Sequence, residues 1–345
     1  MLATDALMPS ATPVTARNTD SRRWSQYLAL ASVPLLWGTF TPAMKLLLGN
    51  HNAPPVIVIN LASHAIGAAA LALLWSFEGL ARSSCLPADD GSQDTSQRSR
   101  KALQATAELG AYLFSGQLTQ LIGLMGTKAT TNAILVQSSV IFVPLLEGLP
   151  PNQTCTDRLS FLLPSLLALG GIALITVAPE LSGDEGADLE EQTMFGIGCS
   201  LAAAFSYAMH TVRLSTYRDV DATIQATGQV VANAALDLVA LCACSMLRLG
   251  KPPIKWLRSH VTRTGIQPLL WAAVWNGVMI VGATTWAMSY AQRAVRASTA
   301  ALAYAMEPAV ACIFCSLVLD ETVGPMEMAG AALVVSANVL AGMRT

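Results

Sequence analysis

The chain has 345 residues, 53% of them hydrophobic and only 12% charged, with a formal net charge of −2. An ordinary soluble domain is about one-quarter charged. The composition therefore excludes a disordered chain, a coiled coil and a nucleic-acid binder, and argues against a soluble enzyme of this length.

The first 25 residues are polar and rich in Ser, Thr and Ala. They lack the apolar stretch of a cleaved signal and read as a cytoplasmic tail. From Trp24 to Met44 no side chain is charged; Lys45 follows, and from Leu46 to Phe77 there is again none. Similar gaps run 109–127, 129–146, 159–179, 192–212 and 264–292. Three further stretches carry a single internal acid each: Asp237, Glu307 and Glu327. A hydrocarbon core takes about 20 apolar residues per helix. These runs do not alternate polar and apolar residues as barrel strands would. They predict about ten helices, roughly 26–48, 54–77, 104–125, 128–149, 160–178, 194–214, 222–247, 267–290, 297–319 and 323–343. The polar stretches 82–101, 180–191 and 251–264 read as loops.

Setting Trp37 against Phe205, an offset of 168 residues, puts Lys45 on Arg213, Lys128 on Arg296 and Ala129-Thr130-Thr131 on Ala297-Ser298-Thr299. The chain thus reads as a tail (1–25), a first five-helix repeat (26–178), an acidic linker (179–193) and a second repeat (194–343). Because five is odd, the second copy must enter the membrane from the opposite side. The predicted fold class is all-α integral membrane, ten transmembrane helices as two inverted five-helix repeats. That is a recurring transporter design, with the site between the halves. Basic residues favour an N-terminus in the cytoplasm, with the loop from Arg248 to Arg263 running against the rule.

The first helix contains LLWGTFTPAMKLLL, the fourth ATTNAILVQSSVIFVPLLEG, and the last two AALAYAMEPAVACIFCSLVLDETVGPMEMAGAALVVSANVL. With its Glu307-Pro308, Asp320-Glu321 and Gly330, this pattern resembles the drug/metabolite transporter superfamily, specifically proteins with two EamA domains. The resemblance covers about residues 26–343 and implies ten helices, both termini in the cytoplasm and movement of small organic metabolites. Asn60 and His64 stand where the second helix of such proteins often carries Arg. Pro150-Pro151-Asn152 lacks the acids of the Asp320-Glu321 turn.

An ionised side chain at mid-bilayer costs about 2.5–3.5 kcal/mol on insertion scales, so such residues are functional candidates. Glu307 sits mid-span with Pro308 beside it; a carboxylate there suits a cation, an amine or a proton. Its repeat partner is Ser139. Asp237 shares a helix face with Asn233, and Lys45 shares one with Trp37 and Thr41. Lys45 also lies close enough to the helix end to snorkel. Gln117, Gln120, Gln137, Ser138 and Ser139 offer neutral donors and acceptors. Asn60 and His64 lie four apart on one face; a lone His there reads more readily as packed than as a relay. Tyr207, His210, Asn276, Trp286 and Tyr304 could stack on or hydrogen-bond a solute. The substrate- or proton-binding candidates are therefore Glu307, Asp237, Lys45, Gln137, Ser139, Tyr304, Trp37, Asn276 and His64. No metal, cofactor or catalytic motif is legible, and an enzyme is not expected.

The function read from the sequence is secondary transport of a small organic metabolite by alternating access, with proton coupling. An amino acid, an amine, a purine or a drug-like solute would each suit the polar residues. The other reading is a non-transporting membrane protein, an assembly factor or receptor-like scaffold. The expected partners are a small-molecule substrate and the lipid bilayer, without nucleic acid, in a monomer or homodimer. The plasma membrane is the first expectation for location, a plastid or other organelle envelope the second. The topology places the Asn152-Gln153-Thr154 sequon in the cytoplasm. Asn152 is accordingly expected to stay unmodified in intact cells, and a glycosidase-sensitive mass shift lost in Asn152→Gln would reverse the orientation.

Overall fold

The computed structural model describes residues 14–49, 53–83, 92–148, 194–247, 267–320 and 324–342, with residue 256 and a few helical positions between 163 and 174. The described residues are helices and short turns, without a strand. In chain order the helices are α1 (Val14–Trp37), α2 (Phe40–Leu48), α3 (Val56–Ser83), α4 (Ser92–Met125), α5 (Ala129–Val136) and α6 (Ser139–Glu147). The second half holds α7 (Met194–Thr216), α8 (Ala222–Leu247), α9 (Gln267–Trp275), a π-helical segment (Asn276–Ala283) and α10 (Thr284–Ala291). It ends with α11 (Ala297–Tyr304), α12 (Glu307–Leu319) and α13 (Pro325–Gly342). Four stretches are long and apolar enough to cross a membrane: Val56–Glu78, Met194–Thr216, Ala222–Leu247 and Gln267–Ala291. The fifth predicted helix, the 180–191 and 251–264 loops and the sequon fall largely or wholly outside the described residues.

Two boundaries differ from the sequence reading. α1 begins at Val14, inside the stretch read as tail, and α4 begins at Ser92, inside the stretch read as loop. Residues 96–101 are solvated as expected, yet helical. Gln, Arg and Lys are good helix formers, and a hydropathy pattern is blind to a helix that continues into water.

The larger difference is that the first, fourth, eighth and ninth predicted helices are interrupted. The first breaks at Gly38-Thr39, where the Thr39 hydroxyl donates to the Leu36 carbonyl at 2.7 Å. The fourth breaks at Gln137-Ser138, where the Ser138 hydroxyl does the same to Leu135, also at 2.7 Å. A hydroxyl that takes a carbonyl competes with the helical amide ladder, and each break tightens into a turn with amide bonds three residues back. In the eighth, the Thr284 hydroxyl donates to the Ile280 carbonyl, the acceptor an α-helical Thr284 amide would use. That amide instead reaches Met279, five residues back, which is π geometry. The ninth breaks at Ala305-Met306, just ahead of Pro308, which has no amide hydrogen to give the Tyr304 carbonyl. The kink expected from Pro308 is therefore present.

The 168-residue offset carries α5 onto α11 residue for residue, and the first residue of α6, Ser139, onto the first of α12, Glu307. The break in the fourth helix thus recurs in register in the ninth. Those in the first and eighth do not recur, because α7 and α4 run unbroken through the matching positions.

Polarity is reversed relative to a soluble protein. Trp271, Leu317, Phe195 and Phe77 are each about two-thirds exposed or more (77%, 74%, 71% and 68%). Asn132, Gln229, Asn233 and Asp237 are fully buried. Such an apolar exterior suits lipid. The helices approach closely at small residues, as membrane helices do without a hydrophobic drive between them. A Cβ built at Gly67 would lie 2.7 Å from the Gly277 carbonyl oxygen, so only glycine lets α3 rest on the π-segment. Gly67→Leu is expected to lower stability by about 1–3 kcal/mol through overpacking. Melting of the purified protein in detergent checks this, against Gly198→Leu, a site with open space beside it.

Candidate functional site

The interrupted helices converge on one cavity of about 690 Å³, counting its mouth. Trp37 and Phe40 reach it from the two sides of the first break, Val136, Gln137 and Ser139 from the second, and Tyr304 and Glu307 from the third. The π-segment and α10 add Ile280, Thr284, Thr285 and Met288; α4 adds Leu113, Gln117 and Gln120; α7 adds Tyr207, His210 and Thr211. Every interruption ends at this space, where freed backbone groups at helix termini meet a polar wall instead of lipid.

The wall is tied together by side-chain hydrogen bonds. Trp37 donates its indole N–H to Thr284 Oγ1 at 3.1 Å, so the hydroxyl that accompanies the π geometry also orients the indole. Trp37 lies 5.2 Å from the Tyr304 ring and 6.4 Å from that of Tyr207. Tyr207 donates to Gln120 Oε1 at 2.7 Å, and Gln292 Nε2 donates to the Tyr304 hydroxyl at 3.1 Å. His210 Nε2 lies 2.8 Å from Gln229 Oε1. An amide oxygen only accepts, so this nitrogen carries a proton. Glu307 is 4% exposed, and no other described side chain pairs with its carboxylate. Ser139 and Glu307 begin α6 and α12 at the cavity, so two helix N-termini, each with a partial positive charge, start there.

Of the candidates named from sequence, Trp37, Gln137, Ser139, Tyr304 and Glu307 line the cavity. Asp237 and His64 do not; they form a buried pair, Oδ2 to Nδ1 at 2.6 Å. Asn276 is buried in the π-segment away from the lining. Lys45 neither snorkels nor enters the cavity. Its Nζ donates to the carbonyls of Thr127 at 2.8 Å and Leu124 at 3.4 Å, which caps the negative end of α4. The break at Gly38-Thr39 separates Lys45 from Trp37. Trp286 bonds Thr223 and stacks on Tyr290, outside the lining. Thr211, Thr284 and Phe40 were not singled out from sequence, because lone hydroxyls and rings in apolar runs carry no distinguishing pattern.

Residues 194–343 match the EamA-like transporter family. The second half of the chain is an EamA domain. EamA domains belong to the drug/metabolite transporter superfamily, and the apolar helices with this domain mark an integral membrane protein. No curated protein sequence matches the chain. A solved structure described only as "Crystal structure of protein" is similar over 94% of this chain and 98% of its own. Its TM-score is 0.60 and its identity 16%, a likeness of fold.

Two clusters of packed apolar side chains adjoin the cavity. Along α4, Gln117 and Gln120 fall between Leu109 of one apolar cluster and Leu121 of the other. The first cluster joins Leu30, Val33, Leu109, Leu214, Tyr217, Val220 and Val295. The second joins Met44, Leu47, Ile59, Leu121, Leu124 and Leu269. Outside the first, Arg213 grips Glu108 with Nε at 2.5 Å and Nη2 at 2.9 Å, and Tyr217 donates to the same carboxylate at 2.6 Å. Glu108 carried no signal in the sequence, because its partner lies 105 residues away. Lys101 meets Asp219 at 2.7 Å in the turn after α7 and holds that carboxyl below the usual carboxylate range. A double-mutant cycle of Glu108→Gln and Arg213→Gln, read by melting, is expected to give a coupling of about 1–3 kcal/mol, the value of a charge-assisted hydrogen bond. Additivity of the two changes would reduce the pair to a surface contact.

Proposed function

We propose that the protein is a secondary transporter of a small organic solute, working by alternating access between two related five-helix halves of opposite orientation. The observation that carries this reading is the convergence of the helix interruptions among the described residues on one cavity, lined by apolar and polar side chains, with an unpaired carboxylate in its wall. Transporter sites are typically built from discontinuous helices near the midplane. Irregular backbone at membrane depth is tolerated only where protein or a cavity serves its polar groups.

The halves are matched but not identical at the site. The break between α5 and α6 recurs at the 168-residue offset between α11 and α12, with Ser139 in one and Glu307 in the other. Two equivalent half-helix starts facing one space would let the halves rock about it. The acid supplies the charge preference: a solute with an amine or other cationic group would pair with Glu307, while Trp37 and Tyr304 pack on its apolar part. Glutamines and hydroxyls would fix its orientation. Amino acids, amines, purines and drug-like cations all fit that description. A proton on Glu307 would neutralise the site when the solute leaves, which is the simplest form of proton coupling.

The apolar cluster around Leu30, Leu214 and Val295, with the Glu108–Arg213 pair outside it, is the closure on the side read as cytoplasmic. The cluster around Met44, Leu121 and Leu269 is the opposite one. Transport requires that each part in turn.

A solute found by thermal-shift screening of the purified protein, through stabilisation by mass action, supplies the probe for liposomes. Glu307→Gln is expected to weaken uptake of a cationic solute about tenfold or more, the worth of one charge-assisted hydrogen bond, and to remove the part of its pH dependence that Glu307 carries. Unchanged uptake at every pH would remove Glu307 from the mechanism. Folded protein that moves none of the solutes it binds would favour the non-transporting scaffold.

A further inference from the structure

A second ionisable cluster lies beside the cavity, outside its wall. His64 of α3 and Asp237 of α8 are 1% and 0% exposed, with Nδ1 and Oδ2 2.6 Å apart. The other ring nitrogen of His64 meets Oε1 of Gln117. Asn233 Nδ2 donates to that same Oε1 at 2.8 Å and also lies 3.0 Å from His64 Nε2. Gln117 is the one member of the four that lines the cavity.

Nδ1 against a carboxylate oxygen at 2.6 Å needs a hydrogen between them, or two lone pairs would face each other. His64 Nε2 faces both an acceptor, Gln117 Oε1, and a donor, Asn233 Nδ2, so the site has a partner for it with or without a hydrogen. With a hydrogen on Nε2, donated to Oε1, the cluster holds two protons, one at Nε2 and one shared between Nδ1 and Oδ2. His64 and Asp237 together are then neutral, whichever of them holds the shared proton, and no net charge is buried mid-span. Removing one proton changes the pattern. The remaining hydrogen stays on Nδ1 and bonds the carboxylate, Nε2 becomes an acceptor, and the pair carries one negative charge. An acceptor at Nε2 repels Oε1 and attracts an N–H. Asn233 Nδ2 already stands 3.0 Å away as one donor; the repelled Gln117 relieves the clash of lone pairs by turning its amide over, presenting Nε2 to His64 and Oε1 to the cavity. The amide ends are defined by their partners.

We propose that His64 and Asp237 form a proton-binding site distinct from the solute cavity, and that its proton sets which end of the Gln117 amide faces the solute. With the proton bound, Gln117 offers the cavity an N–H donor; with it released to cavity water, Gln117 offers a carbonyl acceptor. Asn233 follows, because its Oδ1, without a partner in the loaded state, becomes the acceptor for the turned amide. Among the described residues the surrounding helices bring no other charge to the pair. On α3, Glu78 bonds Thr223, fourteen residues and about 21 Å along the axis from His64. On α4, Glu108 is held by Arg213 and Tyr217. On α7, His210 bonds Gln229. The π-segment and α9 carry no ionisable side chain. The proposal rests on the transporter reading only for what the switch would do to a solute; the site itself does not need it.

The experiment is a pH titration of the full chain in lipid nanodiscs by nitrogen-15 NMR, with labelled histidine and glutamine and pH as the only probe. His64 is assigned by elimination with His51→Gln, His210→Gln and His260→Gln, which leave the pair intact. Gln117 is assigned with Gln117→Leu. The expected result is that His64 Nε2 passes from hydrogen-bearing to bare as pH rises, while Nδ1 keeps its hydrogen. The Gln117 side-chain amide should shift with the same midpoint. Asp237→Asn should move that midpoint by about one pH unit or more, and Asp237→Glu should restore it. A Gln117 amide that ignores the titration, loss of the hydrogen from Nδ1 instead, or a His64 that holds one state throughout would each overturn the proposal on wild-type protein alone. A coupled titration in folded protein that moves no solute would overturn the transporter reading and leave the proton site standing.

Discussion

In hydrocarbon a backbone amide or carbonyl without a partner has no water to turn to, and this constraint shapes the whole molecule. A continuous helix meets it within itself; an interrupted one does not. Four predicted spans are interrupted, and each interruption opens on the same cavity. Proline accounts for one of them. In the others a threonine or serine hydroxyl takes a carbonyl from its own helix: Thr39 from Leu36, Ser138 from Leu135, Thr284 from Ile280. The side chain thereby serves a carbonyl at the break. The same bonds occur inside unbroken helices, Thr106 to Leu103 and Thr211 to Tyr207 among them, so a hydroxyl accompanies a break without by itself causing it.

Polarity follows from the same rule. The surface is Leu, Phe, Trp and Val, while amides, imidazoles and carboxyls lie inside. Several buried polar side chains find partners across helices: His64–Asp237, His210–Gln229, Tyr207–Gln120 and Trp37–Thr284. They join helices that a transporter must hold in fixed register around the solute. The two apolar clusters that adjoin the cavity are different in kind. They are of modest size, reinforced at one end by Glu108, Arg213 and Tyr217 near the helix ends. Contacts that water can reach cost less to separate than buried networks.

Much of this was legible in the sequence where one residue could carry the message. Gaps between charges gave the helices, and the 168-residue offset gave the register in which α5 repeats as α11. Glu307 stood out as an acid in a long apolar run and does line the cavity. Asp237 stood out for the same reason but sits behind the wall, because a one-dimensional pattern measures depth along a helix and not direction around the bundle. Lys45 was visible as a charge near a helix end, and only the fold supplied the Leu124 and Thr127 carbonyls it caps. Glu108, close to the end of its span, carried no signal at all until Arg213 was beside it.

The sequence by itself determined that the chain is a helical membrane protein with acids inside its apolar runs. Each of these depends on composition within one segment, and the cost of placing a charge in lipid is paid locally. The tertiary structure decided which helices break, because a lost backbone bond is tolerated only when a neighbour's side chain or a cavity replaces it. It decided which polar residues meet, joining His64 to Asp237 across 173 residues and Gln117 to both the pair and the cavity. Hydrogen bonds are short-ranged and directional, so their partners are fixed by how helices pack and not by how far apart the residues stand in the chain.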